Sequence, residues 1–488
     1  MKIKAIYIIL SLFIVLGACT KDFEELDSPK TTSDLTDPGT LFTRSLVTGS
    51  GLSYSVWQYM HQIGGSSWAQ HWANINYEFR WDNYEPTPGN RKWDHFYARA
   101  HFAPLNFNHH VRLIARELEN PIMEAQSHIW DVYMYQFLTD TYGDIPYTEA
   151  FLEQRPAFDS QEYIYTDMLQ RLEDAIETIE ENRGLGLPGF GQADVLYQGD
   201  LDRWITFANS MILRIAMRAS NVAAVDLTEH YLSSLDIDNT ITENQEMALM
   251  YPDPGGPTDH VKNPINYVHG WNEVRLSKTM FDILQENNDP RLEVFASPNA
   301  HGEYAGLQNG QHPDSLETMY TTVYRPDYSN IGEFFTREDT PIYLFTSAET
   351  YFLKAEAAQR GFISGNAQEY YEEGIRASMH QFGLSEQQVS EYLQGPAAFD
   401  EANALEQIYT QKWIALYPNG AEAWAEVRRT GYPEMQPLAY YWPGNEEIPR
   451  RKPYPINERR YNSENYQQAV DRMGGDDQYT RVWWDGGN

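Results

Sequence analysis

The residues best equipped to hold a ligand lie between Trp57 and Tyr97. This window carries 11 aromatic side chains in 41 residues, about twice the density of a chain that is 14% aromatic overall, and they alternate with Gln, Asn, Ser and His. An indole or phenol face stacks on the apolar C–H face of a sugar, while neighbouring amides and carboxylates bond to its hydroxyl rim. Trp68, Trp72, Tyr77 and Trp81, with Trp271 in a later loop, are therefore the predicted stacking platform. The loops spanning Tyr304–Tyr328 are the alternative location. For any single ring, the plainer reading is that it covers a broad helical scaffold.

Side chains that would convert a ligand are harder to find. Gly184-Leu185-Gly186-Leu187-Pro188-Gly189 has the bare spacing of a dinucleotide fingerprint, but it follows a helical pattern, contains a proline and lies outside any βαβ unit. It reads as a post-helical loop. No Walker loop or Gly-x-Ser-x-Gly elbow occurs. The 13 histidines, His61, His71, His109 and His110 among them, lack zinc-ligand spacing, and no EF-hand loop is present. With 70 Asp and Glu residues, a glycosidase pair chosen by eye carries no information. The expectation is a binder and not an enzyme, with no catalytic residue, metal site or cofactor.

The single cysteine, Cys19, excludes a disulfide framework within the chain. Lys2 and Lys4 precede an apolar run from Ile6 to Leu16 that is too short to span a bilayer and has the form of a secretory signal. Leu16-Gly17-Ala18-Cys19 resembles the lipobox of bacterial lipoproteins. That predicts a signal peptide over 1–18, a lipidated tether over 19–40 beginning at acylated Cys19, and a main domain over 41–488. Acidic residues after Cys19 resemble the export signal that sends some such lipoproteins to the cell surface. No later segment has 18 consecutive apolar residues, so the expected membrane contact is the lipid anchor alone. The net charge of −34 argues against nucleic-acid binding.

The elements that must position these groups are helical. Apolar residues recur at steps of three and four from Ile122 to Phe137, from Ile164 to Ile179 and from Trp204 to Ala219, the last behind Asp200 as N-cap. Thr346 and Glu349 have capping-box spacing and open a helix whose predicted buried stripe is Ala348, Tyr351, Phe352, Ala355 and Ala358. A second helix through Tyr371, Ile375, Met379 and Phe382 completes a pair of nearly tetratricopeptide length. Two further helices are predicted over Leu405–Tyr417 and Ala421–Arg429. Tyr251–Asn272 and Gln308–Thr336, rich in Gly, Pro, Asn, Asp and Tyr, are predicted as long ordered loops with at most short strands.

Five segments, taken in order, resemble the SusD/RagB nutrient-binding lipoproteins, in their SusD-like branch. They are Thr139–Ala150 (TDTYGDIPYTEA), Gly199–Arg218 (GDLDRWITFANSMILRIAMR), Thr340–Gly361 (TPIYLFTSAETYFLKAEAAQRG), Gln411–Pro433 (QKWIALYPNGAEAWAEVRRTGYP) and Ile448–Asp485, with Pro449-Arg450-Arg451 and a closing Thr480–Asp485. The resemblance implies an all-α fold, one large helical domain on a tetratricopeptide-like helix-pair scaffold with long ordered loops and few short strands. It also implies an outer-membrane lipoprotein that forms a lid on a SusC-like TonB-dependent transporter and captures oligosaccharides or, in some members, peptides. The motif segments it rests on are scaffold and transporter-contact segments, and they assign no ligand-binding residue. A secreted glycoside hydrolase and a purely structural surface protein are the competing classes.

Overall fold

Each long stretch of helical periodicity is realised as a helix. The computed structural model describes residues 37–487 apart from 77–80, 87–89, 99–102, 223–224, 257, 259–260 and 322–325. The signal, Cys19 and nearly all of the tether lie outside the described residues. From the N-terminal side come α1 (Pro38–Gly49), α2 (Pro104–Glu117), α3 (Pro121–Tyr142), α4 (Gln161–Asn182) and α5 (Leu201–Ala219), each packed on the next. Asp200 caps α5 as its spacing predicts, accepting from the backbone N–H of Asp202 and Arg203. The glycine-rich segment after α4 is a short 3-10 turn and loop.

Later in the chain come α6 (Pro264–Trp271), α7 (Ser347–Gln359), α8 (Ala367–Gln381), α9 (Ala404–Ala415) and α10 (Gly420–Thr430). α7 pairs with α8 and also packs on α9 and α5, which joins the two halves. The predicted stripe of α7 is partly right. Ala348, Phe352 and Ala355 are buried, whereas Tyr351 and Ala358 are half-exposed. Its capping box is half made: Thr346 accepts from the Glu349 N–H, but the Glu349 carboxylate is drawn instead into a bidentate pair with Arg214, both contacts 2.7 Å.

Strands are few and short: β1 (Trp72–Asn74), β2 (Ala248–Met250), β3 (Val274–Leu276), β4 (Ala296–Ser297), β5 (Asn330–Ile331) and β6 (Ile342–Phe345). They form three antiparallel ribbons, β1–β3, β2–β6 and β4–β5. The architecture is therefore all-α with long ordered loops, as the sequence implies. Two of those loops are more helical than predicted: Tyr251–Asn272 contains α6, and Gln308–Thr336 contains the helix Pro313–Thr321. Both begin with proline in the first turn, where its missing N–H costs nothing.

The motif segments meet inside this scaffold as a buried ion network. The Arg429 guanidinium reaches both Glu356 oxygens and Glu426, each at 2.6 Å, and Lys412 reaches Glu426 at 3.0 Å. All four residues are under one-tenth exposed. Burial opposes charge on Glu426, but Arg429 and Lys412 outweigh it and hold the carboxyl well below the ordinary range. Asp140 accepts from Trp484 Nε1 at 2.8 Å and from the Tyr165 hydroxyl. Beside it, Arg218 is bonded to Glu422. Among the described residues, no helix is long and apolar enough to cross a membrane.

Candidate functional site

The β1–β3 ribbon organises the aromatic residues. Its register pairs Trp72 with Leu276 and Asn74 with Val274, and it continues as Ile75 N–H donates to the Glu273 carbonyl at 2.8 Å. The chain segments leaving this end carry Trp81 on one side and Trp271 on the other. α6 presents the second of these. Asn263 caps it by accepting from Ile265 N–H at 2.9 Å, and left-handed Asn272 (φ 58°) ends it. Tyr267 and Trp271, four residues apart, share one helix face. The Tyr54 ring stacks on Tyr267 at 5.2 Å and meets Trp271 edge-on at 5.5 Å. Trp271 is 37% exposed. A polar cavity of about 110 Å³, lined by Lys262, Asn266, Tyr267 and Glu338, adjoins this group.

Trp68 and Trp72 do not belong to an exposed platform. They are 1% and 0% exposed: Trp72 opens β1, which is covered on both faces, and Trp68 is buried in the turn that precedes it. Trp72 packs on Trp57 at 5.4 Å and donates its indole N–H to the Tyr417 hydroxyl at 2.8 Å. Trp68 meets Trp424 edge-on at 4.9 Å and donates to the Trp81 carbonyl at 2.8 Å. They support the face from beneath. Trp81 is half-buried at the start of the 3-10 turn Trp81–Asn83, and Tyr77 lies outside the described residues.

Three loops lock together around that turn. Asn309 Nδ2 donates to the Trp72 carbonyl at 2.8 Å, Ala439 N–H to the Asn309 carbonyl at 2.9 Å and Trp442 N–H to the Asn83 carbonyl at 2.8 Å. This brings the half-buried rings of Tyr440, Tyr441 and Trp442 to the same face, with His312 edge-on to Tyr440 at 4.5 Å. Sequence reasoning passed over this group. Its signal was the run Tyr440-Tyr441-Trp442 followed by Pro443-Gly444, an aromatic triplet next to a turn. Asp82 anchors the turn by accepting from Asn74 N–H at 2.8 Å, and burial pushes its carboxyl up to about 6. His71, beneath the ribbon, is held neutral by burial, down to about 3, and bonds the Trp413 carbonyl at 3.1 Å.

The face is thus made of rings, amides and backbone, an arrangement whose chemistry suits a hydroxylated ligand by stacking and hydrogen bonding. Among the described residues, no three His, Cys, Asp or Glu side chains converge as a metal ion would require.

The SusD-like family model described as "Starch-binding associating with outer membrane" matches residues 29–455. A SusD homologue from Bacteroides uniformis is 26% identical and covers 92% of this chain and 99% of its own, with a TM-score of 0.80. A chitin-binding SusD homologue from Flavobacterium johnsoniae is 27% identical over 92% of this chain and 98% of its own, with a TM-score of 0.75. A SusD homologue from Bacteroides vulgatus is 26% identical over 88% of this chain and 93% of its own, also with a TM-score of 0.75. No curated protein matches. The family match runs through the first four motif segments and into the fifth, and the fold agrees over about nine-tenths of the sequence, so the chain belongs to the SusD/RagB family, in its SusD-like branch.

Proposed function

We propose that this protein captures oligosaccharides at the outer membrane and passes them, chemically unchanged, to a SusC-like TonB-dependent transporter. The observation that carries the reading is the gathering of partly exposed rings from separate segments around one ribbon. Trp81 and Tyr440–Trp442 stand on the interlocked loops, and Tyr54, Tyr267 and Trp271 stand beside a cavity lined by amide, ammonium and carboxylate groups. Rings of this kind take the apolar faces of successive sugars, and the polar groups take their hydroxyls. Membership in a family described as starch-binding and outer-membrane-associated supports the same ligand class and place. In this reading acylated Cys19 is the anchor, and the face looks outward from the cell surface.

The chitin-binding relative makes chito-oligosaccharides the first probes, with malto-oligosaccharides as the second. Titration calorimetry of the protein against both series, followed by chromatography of the recovered ligand, tests the proposal. Saturable binding of either series with intact recovery supports it. Binding confined to peptides, or product formed in proportion to protein, replaces it with peptide capture or hydrolysis.

A further inference from the structure

A chamber of about 30 Å³, walled mostly by apolar atoms with a few polar groups among them, lies where the π-helical segment Gln58–Ser66, α3, α5 and α10 meet. The walls include His61, Gln136 and Arg428, which are 2%, 3% and 4% exposed. Each carries polar atoms that no protein group satisfies: both ring nitrogens of His61, Nε2 of Gln136 and Nη2 of Arg428. Asn419 also lines the chamber and stands beside His61. A buried donor or acceptor left unmade is costly. These three side chains, from three different elements, line one small space.

Size and chemistry limit the guest. A cavity needs about 10–15 Å³ to hold a water molecule, and that water needs two to four polar partners, so the chamber has room for one or two. The free atoms of Gln136 and Arg428 are donors and suit either a water oxygen or a halide. His61 separates the two. Burial, reinforced by the nearby Lys92 ammonium, keeps its ring neutral, down to about 3, so one nitrogen holds a lone pair that needs a donor. A halide has no proton to give. The carboxylates of Asp140 and Glu422, also on the wall, offset the attraction of the Arg214 and Arg428 guanidiniums for an anion.

We propose that this chamber is a structural water site, in which one or two water molecules accept from Gln136 Nε2 and Arg428 Nη2 and donate to the His61 ring. The bridge ties the segment that leads into Trp68 and the β1 ribbon to α3 and α10. A crystal structure of the protein at atomic resolution tests this. Oxygen density about 2.7–3.2 Å from Gln136 Nε2, Arg428 Nη2 and one His61 nitrogen is the expected result. An empty chamber overturns it, as does an anomalous peak there after a bromide soak. Nitrogen NMR of labelled imidazoles gives an independent reading. His61 should be neutral at pH 6, with its bare nitrogen shifted as a hydrogen-bond acceptor, and a doubly protonated ring at that pH would sink the proposal.

Discussion

Side chains of one type play opposite parts here, and burial decides which. Trp271→Ala removes a ring at the surface and should weaken sugar binding by about 5- to 150-fold, the range for a stacking hot spot worth about 1–3 kcal/mol. Its thermal midpoint should hardly move. Trp72→Ala should instead cost about 3–5 kcal/mol of stability, since it empties a fully buried site. Calorimetry and thermal melts on the two variants separate these outcomes. Charge follows the same rule. Arg429→Met removes the cation shared by Glu356 and Glu426, leaving the first to Arg360 and the second to Lys412, and should destabilise by about 3 kcal/mol in urea unfolding, the low end for a broken buried pair. Arg116→Met, at an exposed pair with Glu124, should change stability by less than about 1 kcal/mol. Asp82 supplies a pH signature. Its folded pKa of about 6 lies above the ordinary carboxylate value of 3.8, so the native state binds the extra proton. Its contribution therefore makes stability fall as pH rises from about 4 to 6 and then level off. Asp82→Asn should flatten that slope, as stability measured across the interval in both proteins will show.

At the scale of elements, the helices that periodicity predicts include α4, α5 and α8, whose apolar residues recur at helical spacing and are buried against their neighbours. α7 departs from its pattern because two further demands act on it, the close approach of α8 and the Arg214 pair that takes Glu349 from its cap. The helix α6 was hidden in a loop-like composition. Asn263-Pro264, an N-cap residue followed by proline at the first helical position, was the local sign of its start. The loop clamp also belongs to this scale. Asn309→Ala deletes the bonds from its side chain to the Ser67 and Trp72 carbonyls and frees the 308–312 loop from β1. It should lower sugar affinity several-fold while costing about 1–3 kcal/mol of stability. Loss of stability with unchanged affinity would place the ligand away from the Tyr440–Trp442 loops.

For the whole molecule, the proposed function joins two tasks: holding the protein at the membrane and holding the ligand. Cys19→Ala should release the protein from the outer-membrane fraction while leaving the ligand affinity of the purified chain unchanged, which fractionation and calorimetry will check. If the variant stays in that fraction, the anchor lies elsewhere. The large acidic surplus is compatible with this division, since the buried carboxylates of Glu356 and Glu426 are paired with Arg429.

The sequence alone was enough for the helical class, most helix positions and the family, because helix periodicity, capping residues and ordered motifs are local and survive without knowledge of contacts. It also directed attention to an aromatic ligand face. It did not determine which rings form that face. Trp68, Trp72 and Trp81 look alike in a composition window, yet two are covered by Trp57, Tyr417 and Trp424 and one stands at a loop edge. Tyr440–Trp442 are held there by bonds to residues distant in the chain, from Ala439 to Asn309, 130 positions earlier, and from Trp442 to Asn83, 359 positions earlier. Exposure is a property of what packs on a side chain, and the packing partners here come from the far end of the sequence, so tertiary structure alone decided it.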